Sequence, residues 1–248
     1  VARKKPARSA ALSDLSAQAW TKELFRLAFG DDPHYLAAMN YDFAAAALVT
    51  LLVTLDPPGL APIFLSVTRG MTAEQRKVVA IRASIIAFAL LAFFALAGDI
   101  LLRALGVSLP AFRIAGGLLL FWIAFEMVFE RRNERKQATA EIAITKDHIQ
   151  NVAAFPLAIP LMAGPGALTA MMLLAGRAAG DPVQLGLLVG IAALVVASCT
   201  ITFLLATPIS RLLGVTGNVV LTRLLGVILA AMAVQFVVDG IKATIRAV

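Results

Sequence analysis

The stretch TLDPPGLAP, residues 54–62, sets a carboxylate, two adjacent prolines and a glycine in the middle of an apolar run. From Phe43 to Val67 the sole ionisable side chain is Asp56. About 20 residues at roughly 1.5 Å each cover the ~30 Å hydrocarbon core of a bilayer, so the run is long enough to span one. A carboxylate at the centre of a spanning helix costs roughly 2.5–3.5 kcal/mol on insertion scales. A proline pair cannot continue a helix, because the ring removes an amide donor and clashes with the preceding turn. The span is therefore predicted to break at Asp56.

The rest of the chain has the same character. Of its 248 residues 60% are hydrophobic and 15% charged, against roughly 45–50% and about 25% in a soluble domain. This composition predicts an all-α polytopic membrane protein, with the lipid bilayer as its surroundings. Six apolar runs qualify as spans, at residues 43–67, 83–102, 109–129, 152–176, 185–206 and 219–238. Arg113, Glu126 and Arg223 fall near the ends of the third and sixth runs, where long side chains snorkel to the interface. In a soluble protein a net charge of +7 would suggest nucleic acid; here it reports orientation, and no nucleic-acid partner is expected. Basic residues collect on cytoplasmic loops. The loops after spans one, three and five carry Arg69, Arg76, Lys77, Arg131, Arg132, Arg135, Lys136, Lys146 and Arg211. The opposite side carries Arg103, Arg177, Lys242 and Arg246. Both termini are thus expected outside, in the periplasm of a bacterial inner membrane.

Residues 1–40 work against this count with Arg3, Lys4, Lys5, Arg8, Lys22 and Arg26. They read as an extension, mostly disordered, with one short interfacial helix from Asp14 to Phe29. Met39 stands just before the first span and is a candidate translation start.

The sequence also repeats. DPPG at 56–59 falls on AGPG at 163–166, RALGVS at 103–108 on RLLGVT at 211–216, and RIAGG at 113–117 on RLLGV at 223–227. Glu126 has Gln235 as a near counterpart. The chain divides into two three-span halves, 41–129 and 151–242, joined by a charged cytoplasmic linker, 130–150. Two similar halves with an odd number of spans enter the membrane from opposite faces, which is the inverted-repeat plan of many secondary transporters. Spans one and four are both predicted to break at the midplane. Non-helical backbone is tolerated there only when buried in protein or lining a cavity.

Each break would present the positive N-terminus of a half-helix, with amides at Gly59–Ala61 and Gly166–Leu168, to an anion or carboxylate. The candidate solute contacts are Thr54, Asp56, Pro58, Gly59, Gly164, Pro165, Gly166 and Thr169. Asp56 has two readings: it holds a substrate ammonium or carries a coupling proton, or it caps its own half-helix by accepting from the amides of residues 58–60. Glu126 is a second candidate for ion coupling, with snorkelling to the nearby face as the simpler account.

Other polar residues read as structural. Asp99 and Arg103 are four apart and predict an ion pair on one helix face. Arg113 and Arg223 read as interface anchors, with paired anion contacts as the alternative, and Arg82 and Asp239 sit at span ends. Ser198, Thr200 and Thr202 predict hydrogen bonds to the previous turn or a neighbouring helix. Gly186 and Gly190 leave a small-residue face open to a homo-oligomer contact.

Several activities are excluded. Cys199 is the sole cysteine, so there is no thiol pair for redox relay. His34 and His148 lie outside the spans without metal-ligand spacing, so no metal or cofactor is expected. No Walker-type loop and no HExxH occurs, and the chain is not read as an enzyme.

Four segments, DPPGLAPIFLSVTRGMT, GVSLPAFRIAGGLLLFWIAFEMVF, PLAIPLMAGPGALTAMMLL and GVILAAMAVQFVVDGI, together resemble the MarC family of six-span membrane proteins over about residues 41–242. The resemblance implies periplasmic termini, and some archaeal members are described as proton-coupled transporters of small neutral amino acids such as glycine and alanine. Many members carry an asparagine where this chain has Leu60, so the resemblance does not carry a polar solute contact over to that position. The function expected is a secondary transporter of a small solute, with a non-transporting membrane partner or regulator as the alternative.

Overall fold

The computed structural model describes residues 33–132, 134–137, 152–178 and 181–247. A compact unit spans Ala44–Val248, separate from the unit Val1–Phe43. The interfacial helix expected at Asp14–Phe29, and His148 with most of the expected linker, lie outside the described residues.

The described residues are helical, with no strand among them. In chain order they form α1 (Pro33–Leu55), α2 (Pro57–Val67), α3 (Ala73–Ala104), α4 (Leu109–Val128), an irregular coil of wide turns (Ala153–Met162), α5 (Pro165–Arg177), α6 (Pro182–Leu204) and α7 (Ala206–Ala247). Residues 131–132 and 134–137 are also helical. Five stretches, Asn40–Val67, Ala73–Ala104, Leu109–Val128, Pro182–Leu204 and Thr216–Arg246, are long and apolar enough to cross a membrane. The irregular coil and α5 meet at 57° and make a sixth when taken as one span.

The local sequence explains where these elements start and stop. Asp56, between α1 and α2, takes the left-handed conformation, φ 57 and ψ 64, which aspartate tolerates better than most residues. In the irregular coil Phe155 and Ile159 are extended, and each precedes a proline, which pushes its neighbour out of helical geometry. Helix α3 begins ten residues before the apolar run read from sequence. A reciprocal capping box starts it: Gln75 N donates to Thr72 Oγ1 at 3.3 Å and Thr72 N to Gln75 Oε1 at 2.8 Å. Ser108 caps α4 through Ala111 N at 3.3 Å, and Asp181 caps α6 through Val183 N at 3.0 Å and Gln184 N at 3.3 Å.

Packing crosses between the halves. Helix α2 packs on α6 and α7 of the second half, while α5 packs on α3 and α4 of the first. The remaining large interfaces pair α3 with α6 and with the irregular coil, and α4 with α7. Lipid tails are as apolar as leucine, so close packing rather than expulsion of water holds such helices together. The Phe64 ring of α2 stacks on Phe203 of α6 with centroids 4.7 Å apart. Span Asn40–Val67 is the most enclosed, with 67% of its most apolar window buried against 28–44% for the four other unbroken spans.

Candidate functional site

Asp56 is fully buried. Its Oδ1 accepts from Gly59 N at 3.2 Å, which caps α2. Of residues 58–60, expected to donate to this carboxylate, Pro58 has no amide hydrogen, and Leu60 N donates instead to the Asp56 carbonyl at 3.2 Å. Gly59 is required by proximity: a Cβ there would lie 2.2 Å from Asp56 Oδ2.

The second partner of Asp56 comes from the stretch read as linker. Lys136 Nζ lies 3.4 Å from Asp56 Oδ2, and both side chains are buried. The ammonium of Lys136 thus occupies the place that the sequence reading assigned to a solute amine. One helical turn earlier Arg132 is also buried, donating through NH2 to the Thr54 carbonyl and through NH1 to Met127 Sδ at 2.7 Å. Residues 132 and 136 are one turn apart, so they share one helix face. Residues 131, 134, 135 and 137 are exposed. The first turns after α4 are therefore an amphipathic insert whose inward face carries two cations. Sequence reasoning missed both, counting them only as loop charge; the i, i+4 spacing of Arg132 and Lys136 was the available signal.

Arg135 turns to Glu126, with NH2 2.9 Å from Oε2 and NH1 3.0 Å from Oε1. Trp122 Nε1 also donates to Glu126 Oε1 at 3.2 Å. Glu126 is 7% exposed, tied to the same insert rather than extended to the surface.

Two cavities flank this cluster. One, of about 310 Å³, is lined by Thr54, Trp122, Ile123, Arg132, Arg135, Lys136 and the start of α5 from Gly164 to Ala167, with Leu119 and the residues 160–162 completing its wall. The other, of about 350 Å³, lies beside α2 and includes Pro58, Gly59, Glu130, Glu134, Ser210 and Asn218. The expected contacts thus separate. Thr54, Gly164, Pro165 and Gly166 border the basic cavity, and Pro58 and Gly59 border the other. Asp56 lines neither, and nor does Thr169, whose methyl faces Gly116. The Thr54 hydroxyl donates to the Thr50 carbonyl within its own helix. Leu60 is fully buried in the core.

Helix α5 begins at the basic cavity without a side-chain cap. Leu168 N returns to the Gly164 carbonyl at 3.0 Å, so Gly166 and Ala167, which line the cavity, carry first-turn amides ahead of the first intrahelical bond. Chemically the site combines buried cations with a positive helix end, an arrangement suited to an anionic group. Among the described residues no group of His, Cys, Asp and Glu is placed to hold a metal ion.

Residues read as structural also find partners. Asp99 and Arg103 pair at 2.9 Å on exposed helix. Arg113 NH2 donates to the Gly176 carbonyl at 3.1 Å, and Arg223 pairs with Glu130 at 2.8 Å. Asp239 pairs with Arg177 at 2.8 Å, and the same guanidinium lies 4.2 Å from the Phe236 ring centroid. Thr200 bridges to Ser84 on α3 at 2.7 Å, while Ser198 returns to the Val195 carbonyl at 2.6 Å. Among the described residues nothing lies within 4 Å of where a Cβ would stand on Gly186 or Gly190.

A family model described as MarC family integral membrane protein matches residues 41–245. The chain is 40% identical over 200 residues to a UPF0056 membrane protein of Archaeoglobus fulgidus, covering 80% of this chain and 92% of that one. It is 38% identical over 204 residues to one of Aquifex aeolicus, covering 79% and 91%. With the UPF0056 membrane protein YhcE of Escherichia coli it shares 34% over 194 residues, covering 78% and 89%. No solved structure matches the chain.

Proposed function

The chain belongs to the MarC family of integral membrane proteins, and from that premise we propose that it is a secondary transporter of a small carboxylate-bearing solute, driven by a proton or sodium gradient. Neutral amino acids fall within this class. The observation that carries the proposal is the basic cavity at the uncapped start of α5, which adjoins the Asp56–Lys136 pair. Buried charge at a helix interruption is expensive in a membrane, and sites that keep it are those where ions or solutes pass.

In this reading the six spans are two inverted three-helix repeats, and the interruptions at Asp56 and at Ala163–Gly164 face each other at the midplane. Three observations support it. Both Pro-Gly motifs open helices, α2 and α5. The larger pairings among α2 to α7 keep their partners when α2 is exchanged with α5, α3 with α6 and α4 with α7. Gly106 and Gly214, equivalent in the repeat, both take positive φ, 69° and 59°. The two halves then rock about the solute, and Asp56 exchanges Lys136 for a proton or cation during the cycle. Glu126 helps through Arg135. The membrane is a bacterial inner membrane, with the termini on the periplasmic side; with residues 1–40 left aside, removing the buried Arg132 and Lys136 from the loop count still leaves more basic residues on the cytoplasmic side.

Proteoliposomes holding the full chain test this with labelled L-alanine and labelled L-lactate, which differ only in ammonium against hydroxyl. Uptake of either, above empty vesicles and responsive to an imposed gradient, is the expected result. The double variant Asp56→Asn/Lys136→Met preserves the enclosed net charge and should abolish gradient dependence. No flux of either solute from correctly inserted protein would favour the alternative of a non-transporting membrane partner. The observation on that side is that Asp56 is already satisfied by Gly59 and Lys136.

A further inference from the structure

We infer that a separate hollow, at the start of α3, holds the phosphate of an anionic phospholipid. It lies apart from the Asp56–Lys136 cluster, and the inference stands whether or not the chain transports a solute. The hollow, of about 310 Å³, forms where α2 and the turn after it meet the first turn of α3, the end of α6 and the start of α7; its walls include Phe64, Met71, Arg76, Lys77, Phe203 and Thr207. Its ionisable lining is Arg76 and Lys77, with no carboxylate. Among the described residues no acid pairs with either cation, and Arg76 Nε is buried without a hydrogen-bond partner. Glu74, the acid in the first turn of α3, is exposed and outside the hollow.

The chemistry fits a phosphate. A guanidinium offers paired N–H donors to two phosphate oxygens, and the lysine adds a point charge. Ala73, the first residue of α3, also lines the hollow, which brings the positive end of a 32-residue helix to the same place. The surroundings select a lipid. Lys77, Ile81 and Ile85 follow at four-residue intervals on one face of α3, and both isoleucines are exposed, as are Ile201 and Leu204 on α6. An acyl chain thus has apolar surface to lie on directly beside the cations, which a free phosphate would not use. The other end of the α3–α6 pair is the contrast: a hollow of about 400 Å³ there contains Asp99, Arg103 and Asp181, and Arg103 is already paired with Asp99 at 2.9 Å. Of the two, the hollow of a single sign is the one on the side read as cytoplasmic, where basic pockets between spanning helices bind anionic headgroups.

Native mass spectrometry of the full chain in detergent tests this with phosphatidylglycerol, phosphatidylcholine of the same acyl chains, glycerol 3-phosphate and ammonium phosphate, each titrated at constant ionic strength. The expected result is a first phosphatidylglycerol bound with a Kd at least about fivefold below that of phosphatidylcholine, and no saturable adduct of either soluble phosphate over the same concentrations. Arg76→Gln/Lys77→Gln should bring phosphatidylglycerol to within about twofold of phosphatidylcholine. Arg131→Gln/Arg211→Gln removes as much charge from two exposed positions outside the hollow and should leave the preference in place. Equal affinity for the two lipids overturns the inference, as does an equal loss in both double variants, which would mean diffuse attraction. A soluble phosphate binding as tightly as phosphatidylglycerol overturns it too, giving the hollow to a free anion. Should the Arg76/Lys77 double variant not fold, Lys77→Gln alone, at an exposed position, should weaken phosphatidylglycerol binding about twofold or more, and no change there would count against the inference in the same way.

Discussion

Asp56, Lys136 and Arg132 form an unequal triad, two buried cations against one buried carboxylate, and the imbalance predicts unequal effects of neutralising them. Asp56→Asn leaves two buried positive charges facing each other. Removing one partner of a buried pair costs about 3–5 kcal/mol, so Asp56→Asn is expected to lower stability by about that much. Lys136→Met leaves Arg132 with Asp56 as its countercharge and is expected to cost distinctly less. Thermal or denaturant unfolding of the two single variants and the double in detergent, read as a double-mutant cycle, checks the order. Equal losses would mean that Arg132 does not share the field of Asp56. Asp56 itself was legible in the sequence, because a lone carboxylate in an apolar span has few acceptable roles, and the cap on Gly59 is one of them. Its partner was not. In RRNERK, residues 131–136, nearly every side chain is charged, and charge measures the cost of leaving water without telling which side chain finds a buried partner.

At the level of elements, helix starts were easier to read than insertions. Proline and glycine act on their own backbone, so the starts of α2 at Pro57 and α5 at Pro165 follow from local stereochemistry. The amphipathic insert after α4 depends instead on what lies opposite it. Its sidedness predicts a labelling pattern. In a Cys199→Ala background, Glu134→Cys and Gln137→Cys should react with a membrane-impermeant maleimide added from the cytoplasmic face, while Lys136→Cys should not. Equal labelling at the three positions would show that the insert does not dock against Asp56. Glu126 belongs to the same lesson. Two accounts were open from sequence, snorkelling and a place in an ion path; its pairing with Arg135 and Trp122 follows from the docked insert and was not readable from α4 alone.

For the whole molecule the bent pair decides the count of crossings. If the irregular coil and α5 form one span, the chain crosses six times and reporters fused before Asn40 and after Arg246 should report the same compartment, the periplasm. Opposite compartments would make the pair a re-entrant loop within a five-span protein. The amino-acid sequence by itself determined the helical membrane class, the apolar runs and the helix starts at Pro57 and Pro165, because hydrophobic length and proline geometry are properties of neighbouring residues. Only the tertiary structure decided which charges meet. Arg132 and Lys136 lie far from Thr54 and Asp56 in sequence, and their burial depends on a fold that brings the turns after α4 against the interruption between α1 and α2. Electrostatic pairing acts through space, over a few ångströms, so spacing along the chain records it within one helix, as for Asp99 and Arg103, and not between residues brought together by the fold.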